Sequence, residues 1–158
     1  MGIAFWLVVF GLGFWLSVAV HEAGHVVVGV RHGWEVAGFY FKPSALGVGV
    51  RMGHRSSNPV DWHIGPVALA GPIASFFAAA VFWSIEPLPD GGGVLGALAG
   101  INLAIAVVNL LPTPITDGGH IIRGLFGLRL RWRHMAVVWV LLELGGAALF
   151  LILGHRAI

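Results

Sequence analysis

Four long apolar segments, at 3–30, 64–85, 94–111 and 135–154, constrain this chain more than any other feature. Each is close to the ~20 residues that an α-helix needs to cross the hydrocarbon core of a bilayer. The second carries no charge, the third is interrupted only by Asn102 and Asn109, and the fourth contains Glu143. Only 10% of the 158 residues are charged and 58% are hydrophobic, whereas a soluble domain carries about 25% charge. So few charges cannot cover the surface of a soluble domain of this length. The expected class is an all-α integral membrane protein of about four transmembrane helices, as a single domain over 1–158, with the lipid bilayer as its solvent. The same arithmetic excludes a soluble enzyme, a disordered tail and a nucleic-acid binder. A formal net charge of +2 is no phosphate-binding surface, so the basic residues read as topology signals.

Their distribution is one-sided. Arg31, Lys42, Arg51 and Arg55 lie between the first and second segments, and Arg123, Arg129, Arg131 and Arg133 between the third and fourth. The connection between the second and third carries Glu86 and Asp90 and no base, and the ninth basic residue is Arg156. The bias of Lys and Arg toward the cytoplasm then puts both of these loops inside and both termini outside. The small size suggests a prokaryotic cell membrane.

Within the first segment stand His21, Glu22 and His25, as HEAGH. Ionisable groups in a span cost ~3 kcal/mol or more at the midplane, so three together need a shared reason to be there. Positions i and i+4 lie on one helix face, where two imidazoles can hold one Zn²⁺ while the intervening Glu serves as general base toward a metal-activated water. A catalytic zinc needs a third protein ligand and one open position. Carboxylates are scarce: Glu35 and Asp61 sit in the basic loop, and Glu86 and Asp90 on the opposite side, leaving Asp117 and Glu143. The topology favours Asp117. The His pair is near the inner end of the first span, and Asp117 follows the inner end of the third. Around it, Pro112 and Pro114 break regular helix and Gly118 and Gly119 permit a sharp turn. Broken backbone at membrane depth belongs where it lines a cavity.

Together, HEAGH at 21–25 and NLLPTPITDGGH at 109–120 resemble the site-2 protease family of intramembrane zinc metalloproteases. A weaker element, Gly71-Pro72-Ile73-Ala74-Ser75, is similar to the family's Gly-Pro-x-x-Asn. The resemblance implies a helical core around one zinc per chain, with His21, His25 and Asp117 as ligands and Glu22 as catalytic base. It implies that Asn109 holds substrate or stabilises the oxyanion, and that Gly71 and Pro72 contact substrate. The expected reaction is zinc-dependent endoproteolysis of a transmembrane segment in a single-span membrane protein, and the expected site faces the cytoplasm. A homo-oligomer is compatible with this. Two departures stand out: Ser75 replaces the family's common Asn, and Thr116 precedes the Asp where an apolar residue is usual.

Two short extended runs, 36–41 and 45–52, flank Lys42-Pro43-Ser44. They read as a β-hairpin-like loop between the first two spans, either an ordinary surface hairpin or an edge offered to an unwound substrate; the family has a membrane-associated β-loop in this region. Gly47, Gly49 and Gly53 suggest backbone crowding or turns, since no P-loop spacing is present. Glu143 is either a partner of a ligand His or, more economically, a protonated carboxyl bonded to a neighbouring helix. His120 fits a helix start. Asn102, seven residues before Asn109, is placed to bond between helices. The competing reading is a non-catalytic membrane metal-binding or transport protein using the same ligands; Glu22 separates the two, because a pure binding site has no need of a base there.

Overall fold

A computed structural model describes residues 2–42, 47–54, 64–87, 92–126 and position 137. Its elements are α1 (Ile3–Arg31), β1 (Trp34–Lys42), β2 (Gly47–His54), α2 (Ile64–Ser84), α3 (Val94–Leu110) and α4 (Asp117–Phe126). The first three apolar segments are therefore helices with ends within a residue of those expected. α1 and α2 are long and apolar enough to cross a membrane. α3, with 17 residues, is about 26 Å long at about 1.5 Å per residue. The fourth described helix is not a further span but the ten-residue α4 that begins at Asp117. Apart from Val137, the segment 135–154, with Glu143, lies outside the described residues.

One face of α1 organises the rest. Its buried residues are Gly13, Ser17, His21 and Gly29, and with His25 they form a ladder at four-residue spacing. Four residues advance about 40° beyond a full turn, so the ladder winds around the helix and meets a different partner at each level. A side chain at Gly13 would run into Leu98 and Ile101 of α3. The Ser17 hydroxyl accepts a hydrogen bond from the Asn102 amide at 2.8 Å, and the same Asn102 nitrogen donates to the Leu98 carbonyl at 2.9 Å. That is the interhelical bond the sequence suggested for Asn102. His21 and His25 face α2, and Gly29 faces Met52 of β2.

Small residues make these contacts close. Gly65, Ala68, Gly71, Ser75 and Ala79 are among the buried residues of α2. Between apolar helices in lipid, packing and hydrogen bonds drive association, and small residues let backbones approach. A Cβ at Gly24 would lie 2.5 Å from the Ala70 carbonyl oxygen. α4 docks on the start of α2 in the same way, since a Cβ at Gly124 would lie 2.7 Å from the Gly65 Cα.

The hairpin is real and antiparallel, pairing Trp34 with His54 through to Lys42 with Gly47. It begins two residues earlier than the run read from sequence. Its register shifts between Val36 and Gly38, and Gly38 takes φ +146°, a conformation that side-chain-bearing residues rarely adopt.

Candidate metal centre

His21 Nε2 and His25 Nε2 lie 3.2 Å apart, one helical turn from each other on α1. Asp117 Oδ2, from the first residue of α4, lies 2.9 Å from the first and 3.3 Å from the second. The three side chains are largely buried, with 5%, 13% and 15% exposure. Residues 96 positions apart in sequence thus close one triangle of ligand atoms. Tetrahedral zinc with bonds of about 2.0–2.1 Å holds its ligand atoms about 3.3 Å apart, so this donor set fits the ion.

The far nitrogens are also committed. His25 Nδ1–H donates to the Val67 carbonyl at 2.7 Å. A carbonyl only accepts, so in the neutral imidazole the Nε2 lone pair faces the centre. His21 Nδ1 is 3.0 Å from Ser75 Oγ, and Ser75 is completely buried. Partners of this kind fix the ring orientation of ligand histidines and raise their basicity. The Ser at the place of the family's Asn therefore supplies a hydrogen-bonding group to the first His. Ser75→Ala is expected to weaken zinc binding by about 10–100-fold, read by competition with a chelating dye; unchanged affinity would show that His21 needs no such support.

Glu22 stands beside the triangle. It has a carboxylate oxygen within 4.8 Å of ligand atoms of both imidazoles, but its Oε2 accepts the Val50 N–H of β2 at 2.8 Å. Two cavities meet at the centre. One, of about 600 Å³, runs between α1 and α3 from Phe14 and Ile101 down to Asn109 and Asp117. The other, of about 440 Å³, lies between β2, the start of α2 and α4, and includes His25, Met52 and His120. Glu22 lines both. Burial holds the His120 imidazole below its usual pKa.

The remaining expected site residues are placed as follows. Asn109 lines the first cavity, and its side-chain amide donates to the Ile105 carbonyl at 3.0 Å. Gly71 packs directly behind the two imidazoles, and Pro72 is fully buried within α2. Neither is on the wall of the two cavities. The turn before Asp117 is built by threonines: Thr116 Oγ1 donates to the Leu111 carbonyl and accepts the Thr113 N–H at 3.3 Å. The hydroxyl at this usually apolar position thus serves a backbone that the two prolines have withdrawn from regular helix. The sequence singled out Ser75 and Thr116 only as departures and did not weigh Tyr40, which lines both cavities.

Two histidines and a carboxylate with a flanking glutamate thus form a donor set that could hold a metal ion beside a cleft. The comparisons with known proteins agree. The sequence model of peptidase family M50 matches residues 92–153. A protein of Synechocystis sp. whose name assigns it to the zinc metalloproteases is 34% identical over 113 residues, 69% of this chain and 29% of that protein. A zinc metalloprotease of Methanocaldococcus jannaschii is 32% identical over 125 residues, 77% of this chain and 35% of that protein. The chain thus spans about a third of the length of the curated relatives it matches. The solved structure of a site-2 protease from Methanocaldococcus jannaschii shares the fold, with a TM-score of 0.59 and 22% identity over 92% of this chain and 70% of that one. By these matches the chain is similar to the zinc metalloproteases of the site-2 protease family, a membrane-associated family represented here by prokaryotic relatives.

Proposed function

We propose that the chain is a zinc-dependent intramembrane endopeptidase that cleaves a membrane-spanning segment of another, single-span protein. The observation that carries this reading is the triangle His21, His25 and Asp117 with Glu22 at its side, set where two cavities meet. In this reading the three residues of the triangle are the ligands. Zinc held there supplies Lewis-acid chemistry, activating water and polarising a carbonyl. Glu22 accepts the proton of the attacking water and delivers it to the leaving amine. Asn109, on the wall of the first cavity, donates an amide N–H to the substrate carbonyl. Gly71 and Pro72 act on substrate only at a distance, by letting α2 lie against the imidazoles.

The hairpin has a matching role. Because Val50 N–H reaches Glu22, it points away from β1, so the outer edge of β2 borders the site. An unwound substrate segment adds to that edge through backbone hydrogen bonds. The basic loops support an inward-facing active site with both termini outside.

The test is zinc per chain in detergent-purified wild type and Asp117→Ala, together with cleavage of single-span model substrates. Near-stoichiometric zinc in the wild type, a clear loss in the variant, and cleavage that a chelator stops and zinc restores are expected. Zinc that is absent from the wild type, or indifferent to the loss of Asp117, would overturn the three-ligand site.

A further inference from the structure

The residues that line both cavities are Glu22, Tyr40, Ile115 and Asp117. A peptide running from one cavity to the other passes between them. Two of the four are carboxylates, acceptors when ionised, and one is an isoleucine. Tyr40 alone among them brings an O–H donor.

Its position is built by the hairpin. Tyr40 is on β1 and pairs in register with Gly49 of β2. A Cβ at Gly49 would lie 2.7 Å from the phenol oxygen, 2.8 Å from Cζ and 2.9 Å from Cε1. The ring therefore lies against the bare backbone of Gly49, and any larger residue there would displace it. The next residue, Val50, gives its N–H to Glu22, so the phenol is carried over β2 to the side where the catalytic base stands. Tyr40 as a whole is 38% exposed and lines both cavities. Burial pushes its pKa above the usual phenol value, and the charges of Glu22 and Asp117 push the same way. It therefore stays protonated, and a donor, through the neutral range.

Peptide hydrolysis needs a donor aimed at the oxygen on which negative charge develops, and preorganised donors there are among the largest contributions to catalysis. Resting on the proteolytic reading above, we propose that Tyr40 is a further catalytic residue, whose phenol O–H donates a hydrogen bond to the scissile carbonyl oxygen as it becomes an oxyanion. The phenol keeps its proton throughout; no bond to it is made or broken. Asn109 approaches the same oxygen from the α3 wall of the first cavity, and Tyr40 from the hairpin. A purely structural role is distinguishable, because packing across a glycine requires the ring and not the hydroxyl.

Tyr40→Phe keeps the ring. It is expected to lower kcat by about 100-fold, with KM within about twofold and zinc content unchanged. A second measurement needs no variant. Tyr40 is the single tyrosine of the chain, so uniform incorporation of 3-fluorotyrosine labels one site. Its ¹⁹F resonance is expected to shift when zinc-loaded protein binds a phosphonamidate peptide, whose anionic oxygen mimics the oxyanion, and to shift far less with the corresponding uncleavable neutral peptide. Wild-type kcat in Tyr40→Phe overturns the proposal, as does an effect confined to KM or an equal ¹⁹F response to the two peptides. A zinc-loaded wild type that cuts no substrate overturns the proteolytic reading itself, a different result from a working protease indifferent to Tyr40.

Discussion

Glu22→Gln is expected to lower cleavage of a single-span substrate by about 10²–10⁴-fold, the range for loss of a positioned general base, while zinc stays bound. The amide has the size of the carboxylate but cannot take up a proton at neutral pH. Its Oε1 can still accept the Val50 N–H that now reaches Glu22 Oε2 at 2.8 Å, so the hairpin stays docked. The three atoms of the triangle are untouched. Cleavage in detergent and zinc by atomic emission on the same preparation decide the matter. Cleavage close to the wild-type rate would remove Glu22 from the mechanism. Loss of zinc would have a different meaning, because Glu22 also lies within 4.8 Å of ligand atoms of both histidines; it would make Glu22 a ligand and return the identity of the base to question.

The second large effect is expected at a residue with no functional group. A methyl at Gly71 would fall on His25 Nε2, and would lie 2.5 Å from His25 Cε1 and 2.7 Å from His21 Nε2. The imidazoles have little room to give way. Val67 and Ser75, which hold their Nδ1 atoms, are on the same helix as Gly71. Relief therefore comes by swinging the rings off their partners or by moving α2 away from α1. The first spoils the donor triangle; the second costs about 1–3 kcal/mol, as overpacking does. Gly71→Ala is expected to lower zinc affinity at least 10-fold in a chelator competition. Gly100→Ala is the control, because a Cβ there meets nothing within 4 Å. Wild-type zinc affinity in Gly71→Ala would mean that the helices separate freely and the close approach is incidental.

Much of the site was legible because its chemistry conflicts with its surroundings. His21, Glu22 and His25 stand out in an apolar span, and the spacing alone places both imidazoles on one face. Asp117 could be joined to them from topology, since so few carboxylates exist in the chain. The hairpin announced itself by its extended runs and glycines, and Gly49 proved to be a crowded position, as the composition suggested. What was not legible is how the partners are matched. Every residue has a carbonyl, so nothing in the sequence marks Val67 as the acceptor for His25, nor Val50 as the donor to Glu22. Ser75 and Thr116 looked like departures from a pattern, and their hydroxyls acquire a purpose only beside His21 and the Leu111 carbonyl.

The sequence by itself determined the apolar character of the chain, its first three helices and the candidate ligands, because hydropathy, helical period and ionisable groups in apolar segments are local properties with large free energies. The tertiary structure decided the rest: the register of α2 on α1, which makes Gly71 the surface behind the imidazoles, and the fold of the hairpin over the site, which brings Tyr40 and the edge of β2 to Glu22. Those depend on close approach between small residues distant in the chain, where contacts are short-ranged and individually weak. No single position carries the signal, and only the assembled packing reveals it.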